Sequence, residues 1–232
     1  MLNSNNHKNH LLAALSEEEY KHVSSKLEKV FLKLGTIVQR PEQEIEHIFF
    51  PTTCMISLLA TLEGGDSVET GVVGNEGVVG IPVVLGVGIG ASEGLVQIEG
   101  EAMRMKAGAL GSLMNGGQLQ RILLRYTHTI FTQVAQTAAC NRAHNLNQRL
   151  ARWLLLTHDR VGQDKFELTH EFLARMLGTR RAGVSVAAST LRDAGVIDYT
   201  RGHVTIVDRQ GLENASCECY RIVKAEFDRL FK

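Results

Sequence analysis

The stretch from Leu168 to Ile206 constrains the fold of this chain more than any other part of the sequence. It is typical of two short helices with a tight turn between them, because each helix has its own start and stop signal. Thr169 is suited to cap the first helix, and Gly178 can end it with a positive φ. Thr179 is then expected to cap the second helix, which Gly195 would end.

The apolar residues of this stretch repeat at spacings of three and four, which places them on the inner faces of the two helices. They are Phe172, Leu173, Met176 and Leu177 in the first helix, and Val184, Ala187, Ala188 and Leu191 in the second. Ala174 is small enough to lie where two helices cross, and Gly178 and Val184 follow at suitable offsets. The runs Val196–Tyr199 and Val204–Val207 predict a β-hairpin. We therefore predict a DNA-binding helix-turn-helix followed by a wing.

The remaining side chains of the second helix would face double-stranded DNA. Arg181 can bond a guanine at two points, and Ala182 or Val186 can contact a thymine methyl group. The threonines and the other arginines of this region are better suited to phosphates. The predicted DNA-binding residues are Thr169, His170, Thr179, Arg180, Arg181, Ala182, Ser185, Val186, Ser189 and Arg201.

From Leu168-Thr169-His170 to Val207, the sequence resembles the winged helix-turn-helix of the Crp/Fnr family, the bacterial regulators that include the cyclic-AMP receptor protein. The resemblance implies a transcription regulator, not an enzyme, that binds a palindromic DNA site as a homodimer and contacts RNA polymerase. In relatives of the receptor protein an Arg-Glu pair and a later Arg read the bases. Arg181 matches the first of these positions, whereas Ala182 and Val186 occupy the other two.

The layout upstream of this region is also similar to that of the family, and it predicts an α+β chain. The predicted parts are a flexible tail (1–15), a β jelly-roll of the cyclic-nucleotide-binding type (16–113), a dimerisation helix with a hinge (114–144) and a winged helix-turn-helix (145–232). Short runs rich in Val, Ile and Leu, separated by turns, indicate the β domain. Of the 22 glycines, 15 lie between Gly64 and Gly117, where those turns are expected.

The predicted effector site departs from the pattern of the nucleotide-binding members. Those members have a glutamate for the ribose and an arginine for the cyclic phosphate, where this chain has Gly80-Ile81-Pro82 and Ala91-Ser92-Glu93-Gly94. No Lys or Arg occurs between Arg40 and Arg104. Because a buried phosphate needs a cation, we expect no binding of cyclic AMP or cyclic GMP in the usual way. An unknown small-molecule effector would contact Val79, Gly80, Ile81, Glu93 and Tyr126.

The segment from Leu119 to Leu146 predicts one long helix without Gly or Pro. One of its faces carries an apolar row, which consists of Leu119, Leu123, Tyr126, Ile130, Val134 and Ala138. The resemblance implies that this row forms the interface of a parallel homodimer, and the alternative is an internal helix of a monomer. The polar segment Asn141–Asn147 is suited to a hinge, and Trp153 is expected to anchor the core of the domain that follows.

Four cysteines occur, at positions 54, 140, 217 and 219, and they do not form a disulfide framework. A single helix is predicted from Gln210 to Phe231, on which Cys217 and Cys219 would point to different faces. We therefore expect reduced structural thiols, no metal and no cofactor. His128 and His144 are interpreted as polar positions at the dimer seam.

Two other functions remain open. A redox-, metal- or haem-responsive regulator would act through Cys54, Cys140, Cys217, Cys219 or a histidine such as His128. A cyclic-nucleotide-binding module without a DNA function would bind nucleotide tightly and show no salt-dependent DNA affinity.

The charge distribution favours DNA binding by the second half of the chain. The net charge is zero, but from Asn141 onward 15 Lys and Arg face 11 Asp and Glu. Because no apolar run approaches the roughly 18–20 residues of a membrane span, we expect a cytoplasmic protein without a membrane partner.

Overall fold

The computed structural model describes residues 8–200 and 202–232, which form an α+β fold as predicted. The helices are α1 (His10–Ala13), α2 (Glu17–Ser24), α3 (Ile81–Val84), α4 (Ala107–Leu113), α5 (Gln118–Ala143), α6 (Leu146–Val161), α7 (His170–Met176), α8 (Arg181–Asp193), α9 (Arg209–Ala215) and α10 (Cys219–Leu230). The strands are β1 (Glu28–Leu32), β2 (Ile37–Gln39), β3 (His47–Pro51), β4 (Met55–Thr61), β5 (Ser67–Val73), β6 (Glu93–Ile98), β7 (Gly100–Lys106), β8 (Lys165–Glu167), β9 (Ile197–Thr200) and β10 (His203–Ile206). Arg201, which we predict at a phosphate, lies outside the described residues.

The N-terminal part of the chain is built from two antiparallel sheets. One has the strand order β1-β7-β3 and the other the order β2-β6-β4-β5. Their apolar side chains belong to one continuous core, in which Ile48, Phe50, Met55 and Ile56 are fully buried. Burial of both sheet faces against each other explains why the sequence shows short apolar runs rather than helical periodicity.

The described part of the predicted flexible tail is packed rather than mobile. Asn9 caps α1, and its side-chain amide donates hydrogen bonds to the carbonyl oxygens of Pro51 and Gly77 at 2.9 Å each. Leu11 and Leu12 are buried in the core of the β domain. The prediction of a tail is therefore wrong for residues 8–15, because its Asn-rich composition hid a short capped helix.

The long helix ends three residues earlier than predicted, and the break lies inside the predicted hinge. His144 and Asn145 have extended backbone between α5 and α6. Asn145 then starts α6 with a capping box, since its side chain accepts from the Gln148 N–H and the Gln148 side chain accepts from the Asn145 N–H.

The apolar row predicted to form the dimer interface is largely buried inside the same chain. Leu119, Leu123 and Tyr126 have no exposed surface, and Ile130 is only 7% exposed. They are covered by the β domain and by α10, which packs along α5. Val134 is partly buried, so only Ala138 of the predicted row is fully at the surface. The interface prediction is therefore wrong for the buried members.

The C-terminal segment forms two helices rather than the single predicted one. Residues 216–218 separate α9 from α10, and α9 packs on α6 whereas α10 packs on α5. Tyr220, Val223 and Phe227 are on the buried side of α10. No helix in the described ranges is long and apolar enough to cross a membrane.

Candidate nucleic-acid interface

The residues that the sequence spacing predicted for the helix-turn-helix lie at the caps, the turn and the crossing of α7 and α8. The Thr169 hydroxyl accepts a hydrogen bond of 3.1 Å from the Phe172 N–H, so Thr169 is the predicted N-cap. Gly178 has φ +56° in the turn, and Ala174 and Val184 are buried between the helices. The predicted cap of the second helix is wrong: Arg180, with extended backbone and no side-chain cap bond, lies at the N-cap of α8 in place of Thr179.

The outer face of α8 is open to solvent and carries the predicted base-reading residues. Its inner residues, from Val184 to Leu191, are buried against α6 and α7. Arg180, Arg181 and Ala182 are exposed, and Val186 is 67% exposed despite being apolar. The other predicted contact residues are at least partly exposed, and they are Thr169, His170, Thr179, Ser185 and Ser189. The structure therefore brings a cationic helix start and an exposed helix face together.

A small hydrogen-bonded group holds the outer face of α8 against the β9–β10 hairpin. The Ser185 hydroxyl shares a hydrogen bond of 2.9 Å with His170 Nδ1, and the His170 ring lies 4.3 Å from the Tyr199 ring. The Tyr199 hydroxyl donates to the Leu168 carbonyl oxygen at 2.6 Å. Burial, together with the nearby charge of Arg181, lowers the pKa of His170. The lowered pKa favours the neutral form of the His170 ring, which bonds Ser185 of α8.

The helix-turn-helix is docked on the β domain through α6 and α7. The Trp153 indole N–H donates to a carboxyl oxygen of Glu69 at 2.8 Å, and Arg175 donates to the Ser67 hydroxyl at 2.7 Å. Trp153 therefore contributes to the contact between the β domain and the helix-turn-helix domain. It also packs in the core of its own domain, against Phe172 of α7. Glu93, which we expected at an effector, lies 3.4 Å from an Arg175 nitrogen at this contact.

The other residues predicted for an effector pocket are tightly packed. Val79 and Tyr126 are buried in the apolar core, and Ile81 begins the short helix α3. A Cβ atom at Gly80 would lie 2.5 Å from a methyl carbon of Ile48. The space around Gly80, where an effector was expected, is occupied by side chains of the β domain itself.

The comparisons with known proteins agree with this geometry. Residues 148–215 match the family described as the Crp-like helix-turn-helix domain. The chain has the Crp/Fnr fold. A search of curated protein sequences finds no match. The resemblance seen in the sequence is thereby confirmed at the level of fold and domain.

Solved structures of this fold extend the likeness to nearly the whole chain. A putative transcriptional regulator of the Crp/Fnr family from Eubacterium rectale is 17% identical, with a TM-score of 0.68 over 88% of this chain and 96% of that one. FixK2 from Bradyrhizobium japonicum is 15% identical, with a TM-score of 0.68 over 82% and 98%. A CRP-family transcriptional regulator from Thermus thermophilus is 18% identical, with a TM-score of 0.67 over 81% and 96%.

Proposed function

We propose that this protein is a transcription regulator that binds double-stranded DNA through α8. The observation that carries the proposal is the exposed, arginine-tipped outer face of α8 within a Crp-like helix-turn-helix domain. A helix with its N-terminal residues free and its opposite face buried can enter the major groove. Such a regulator would act in the cytoplasm on chromosomal DNA, with RNA polymerase as its further partner.

The role of Arg181 gives the first test of this proposal. Arg181→Ala should weaken specific DNA binding by about 1–3 kcal/mol and relax the preference at one base position, because a bidentate contact with guanine is lost. A gel-shift titration on a site selected from random DNA measures both effects.

A matched control for this test is Arg40→Ala, which removes an equal charge from an exposed position directly after β2, away from both the helix-turn-helix and α5. Its specific binding should be unchanged. Equal affinity and equal base preference for wild type and Arg181→Ala would reject the proposed base contact.

We infer further that the protein is a homodimer formed by the exposed side of α5. Leu124, Phe131 and Ala138 follow one another at intervals of seven residues and all lie at the surface. Phe131 is 71% exposed and Leu124 is 45% exposed. Apolar residues at heptad spacing on a free helix face favour pairing with a second copy of the same helix. Two α8 helices could then reach half-sites about 34 Å apart on an imperfect palindrome.

Phe131→Glu should therefore convert the dimer into a monomer, because two carboxylates would meet at the seam where two aromatic rings had packed. We expect the mass measured by light scattering after gel filtration to halve. Affinity for a palindromic site should fall with it, whereas affinity for a single half-site should be retained.

The control for this variant is Phe31→Glu, since Phe31 is also an exposed phenylalanine, at 60%, but lies on β1. It should remain dimeric. A monomeric wild type, or a dimeric Phe131→Glu protein, would contradict the proposed interface.

We also propose that any effector of this protein is recognised differently from a cyclic nucleotide. The supporting observations are the absence of Lys and Arg between Arg40 and Arg104 and the closed packing around Gly80 and Tyr126. Isothermal titration with cyclic AMP and cyclic GMP should give no saturable binding. Tight binding of either nucleotide would instead support the nucleotide-binding module.

A further inference from the structure

Three of the four cysteines meet one histidine where α5 ends and α10 begins. Cys140 and His144 are four residues apart in sequence at the end of α5, and Cys217 and Cys219 flank Glu218, the N-cap of α10. Their possible ligand atoms all lie within 4.8 Å of one another. The predicted divergence of Cys217 and Cys219 is wrong, because the break after α9 places Cys217 outside the helix. His144, predicted at a dimer seam, also faces this group.

The distances between these atoms agree with a tetrahedral metal site. Cys140 Sγ lies 3.5 Å from Cys217 Sγ, and Cys219 Sγ lies 3.6 Å from His144 Nδ1. Zinc bonds of about 2.3 Å to sulfur and about 2.0–2.1 Å to nitrogen give tetrahedral edges of about 3.8 Å and about 3.6 Å. The thiols are not linked by disulfide bonds. Four donors around one point suit a single ion better than a two-iron cluster, whose ligand pairs lie at opposite ends.

The groups around the four donors have the arrangement expected of a second layer of a metal site. His144 Nε2 lies 3.2 Å from a carboxylate oxygen of Glu218, so its N–H is directed away from the thiols and Nδ1 is free to bind. The side-chain amide of Gln136 donates to Cys219 Sγ at 3.1 Å, which suits a thiolate acceptor. A histidine held by a carboxylate is the usual orientation of a zinc ligand.

The burial of the three thiols and the nearby charge of Arg152 also fit a metal site. Cys140, Cys217 and Cys219 are at most 4% exposed and form a buried cluster of their own, separate from the main core. Three thiolates and one divalent ion carry a net negative charge, which a buried site must balance. Arg152 of α6, only 4% exposed, acts electrostatically on Cys140. Its guanidinium donates to the Thr137 hydroxyl at 3.3 Å, and none of the ion pairs within 4.0 Å among the described residues includes Arg152.

We propose that Cys140, His144, Cys217 and Cys219 bind one Zn²⁺ ion. The ion would join the end of α5 to the start of α10, directly beside the break at residues 144–145 that connects α5 to the helix-turn-helix domain. It would therefore fix the position of α10 at this break and make the position of the DNA-binding domain dependent on zinc.

The experiment uses the untagged full-length protein, purified under reducing conditions without chelator. We expect one zinc ion per chain by elemental analysis and by native mass spectrometry. After removal of zinc, titration with Co²⁺ should reach saturation at one ion per chain, with the thiolate-to-cobalt absorption and the strong visible bands of a tetrahedral site. Added Zn²⁺ should abolish these bands.

Variants distinguish this site from adventitious binding. Cys217→Ser and Cys219→Ser should lose the cobalt bands, whereas Cys54→Ser, which changes a buried cysteine between β3 and β4, should keep them. Glu218→Gln retains all four ligands and should lower zinc affinity about 10- to 100-fold. This variant stays informative even if loss of a cysteine prevents folding.

A folded, reduced wild-type chain that binds neither Zn²⁺ nor Co²⁺ stoichiometrically would overturn the proposal. So would an iron cluster in the freshly purified protein, or a Cys140–Cys217 disulfide that survives the reducing purification. DNA binding is measured separately, so a failed zinc site and a failed DNA-binding proposal would be distinguishable.

Discussion

Arg160→Ala should lower the free energy of unfolding by about 3–5 kcal/mol, because it leaves a buried carboxylate without its cation. Arg160 Nε lies 2.8 Å from a carboxylate oxygen of Glu76, and the two side chains are 4% and 9% exposed. The other guanidinium nitrogens donate to the Gln133 side-chain oxygen at 3.1 Å and to the Leu156 carbonyl oxygen at 2.9 Å. Chemical unfolding in urea, with the slope compared between the two proteins, measures the loss.

The large effect follows from the number of elements that meet at this guanidinium. Glu76 belongs to the loop after β5, Gln133 to α5 and Arg160 to α6, and the guanidinium carbon lies 5.1 Å from the ring centre of Phe227 in α10. A Cβ atom at Gly74 would lie 2.6 Å from Cβ of Arg160, so the loop approaches α6 as closely as only glycine permits. Loss of Arg160 therefore weakens the contact between the β domain and the helix-turn-helix domain.

The control is Arg192→Ala, which breaks an exposed pair of 3.3 Å with Asp193 and should cost about 1 kcal/mol or less. A double variant, Arg160→Met with Glu76→Leu, removes both charges and keeps large apolar side chains at the two buried positions. It should recover much of the lost stability, because it leaves no unpaired buried charge. A loss below about 1 kcal/mol in Arg160→Ala would contradict the structural role assigned to this pair.

Local spacing was sufficient to predict the helix-turn-helix. Thr169, Ala174, Gly178 and Val184 act through neighbours within a few residues, so their roles follow from geometry that any such helix pair shares. The capping error at Thr179 is a shift of one residue, since Arg180 needs no side-chain oxygen to adopt the extended backbone of an N-cap.

The sequence did not reveal which face of α5 meets its own chain. This helix has two apolar sides, one with Leu119 and Leu123 and one with Leu124 and Phe131. Periodicity alone cannot choose between two apolar sides, because the packing of the β domain and α10 decides which side is covered. The row with the more regular spacing was buried inside the chain, and the other was left exposed.

The sequence could not predict the group of three cysteines and one histidine, because it forms through a contact between distant parts of the chain. Cys140 and Cys217 are 77 residues apart, and their meeting requires that α10 folds back along α5. One local signal was present, because Cys140 and His144 are four residues apart in the segment predicted as one long helix, where they would share a face. The break before α10 had no Gly or Pro to mark it, so the orientation of Cys217 could not be predicted.

The stability of the protein should fall as the pH rises through a window from about 4.5 to about 7, and Glu69→Gln should remove this dependence. Burial raises the pKa of Glu69 from 4.5 to about 7, although Ser57, Trp153, Arg152 and Arg160 all act to lower it. The folded state therefore keeps a proton that the unfolded state has already lost within this window. Unfolding then releases a proton, so increasing pH favours the unfolded state.

The hydrogen bonds of Glu69 agree with a protonated carboxyl group. Ser57 Oγ lies 2.7 Å from one carboxyl oxygen of Glu69 and also contacts the Gln97 side-chain oxygen. A hydroxyl has one proton, so it cannot donate to both oxygens. If Glu69 donates to Ser57 and Ser57 donates to Gln97, each bond has a donor, and the other carboxyl oxygen still accepts from Trp153 at 2.8 Å.

Glu69→Gln reproduces this pattern without a titrating group, since its amide N–H can donate to Ser57 while its oxygen accepts from Trp153. Relative to the variant, the wild type should lose about 2–3 kcal/mol of unfolding free energy between about pH 5 and about pH 8, at roughly 1.36 kcal/mol for each unit of pKa shift. Urea unfolding of both proteins at several pH values measures this difference. Glu63→Gln, an exposed position in the turn after β4, is the control and should follow the wild-type profile. Parallel profiles for wild type and Glu69→Gln would mean that Glu69 is already ionised in the folded protein. The contact of Trp153 with the β domain would then be a charge-assisted bond whose strength does not change across this range.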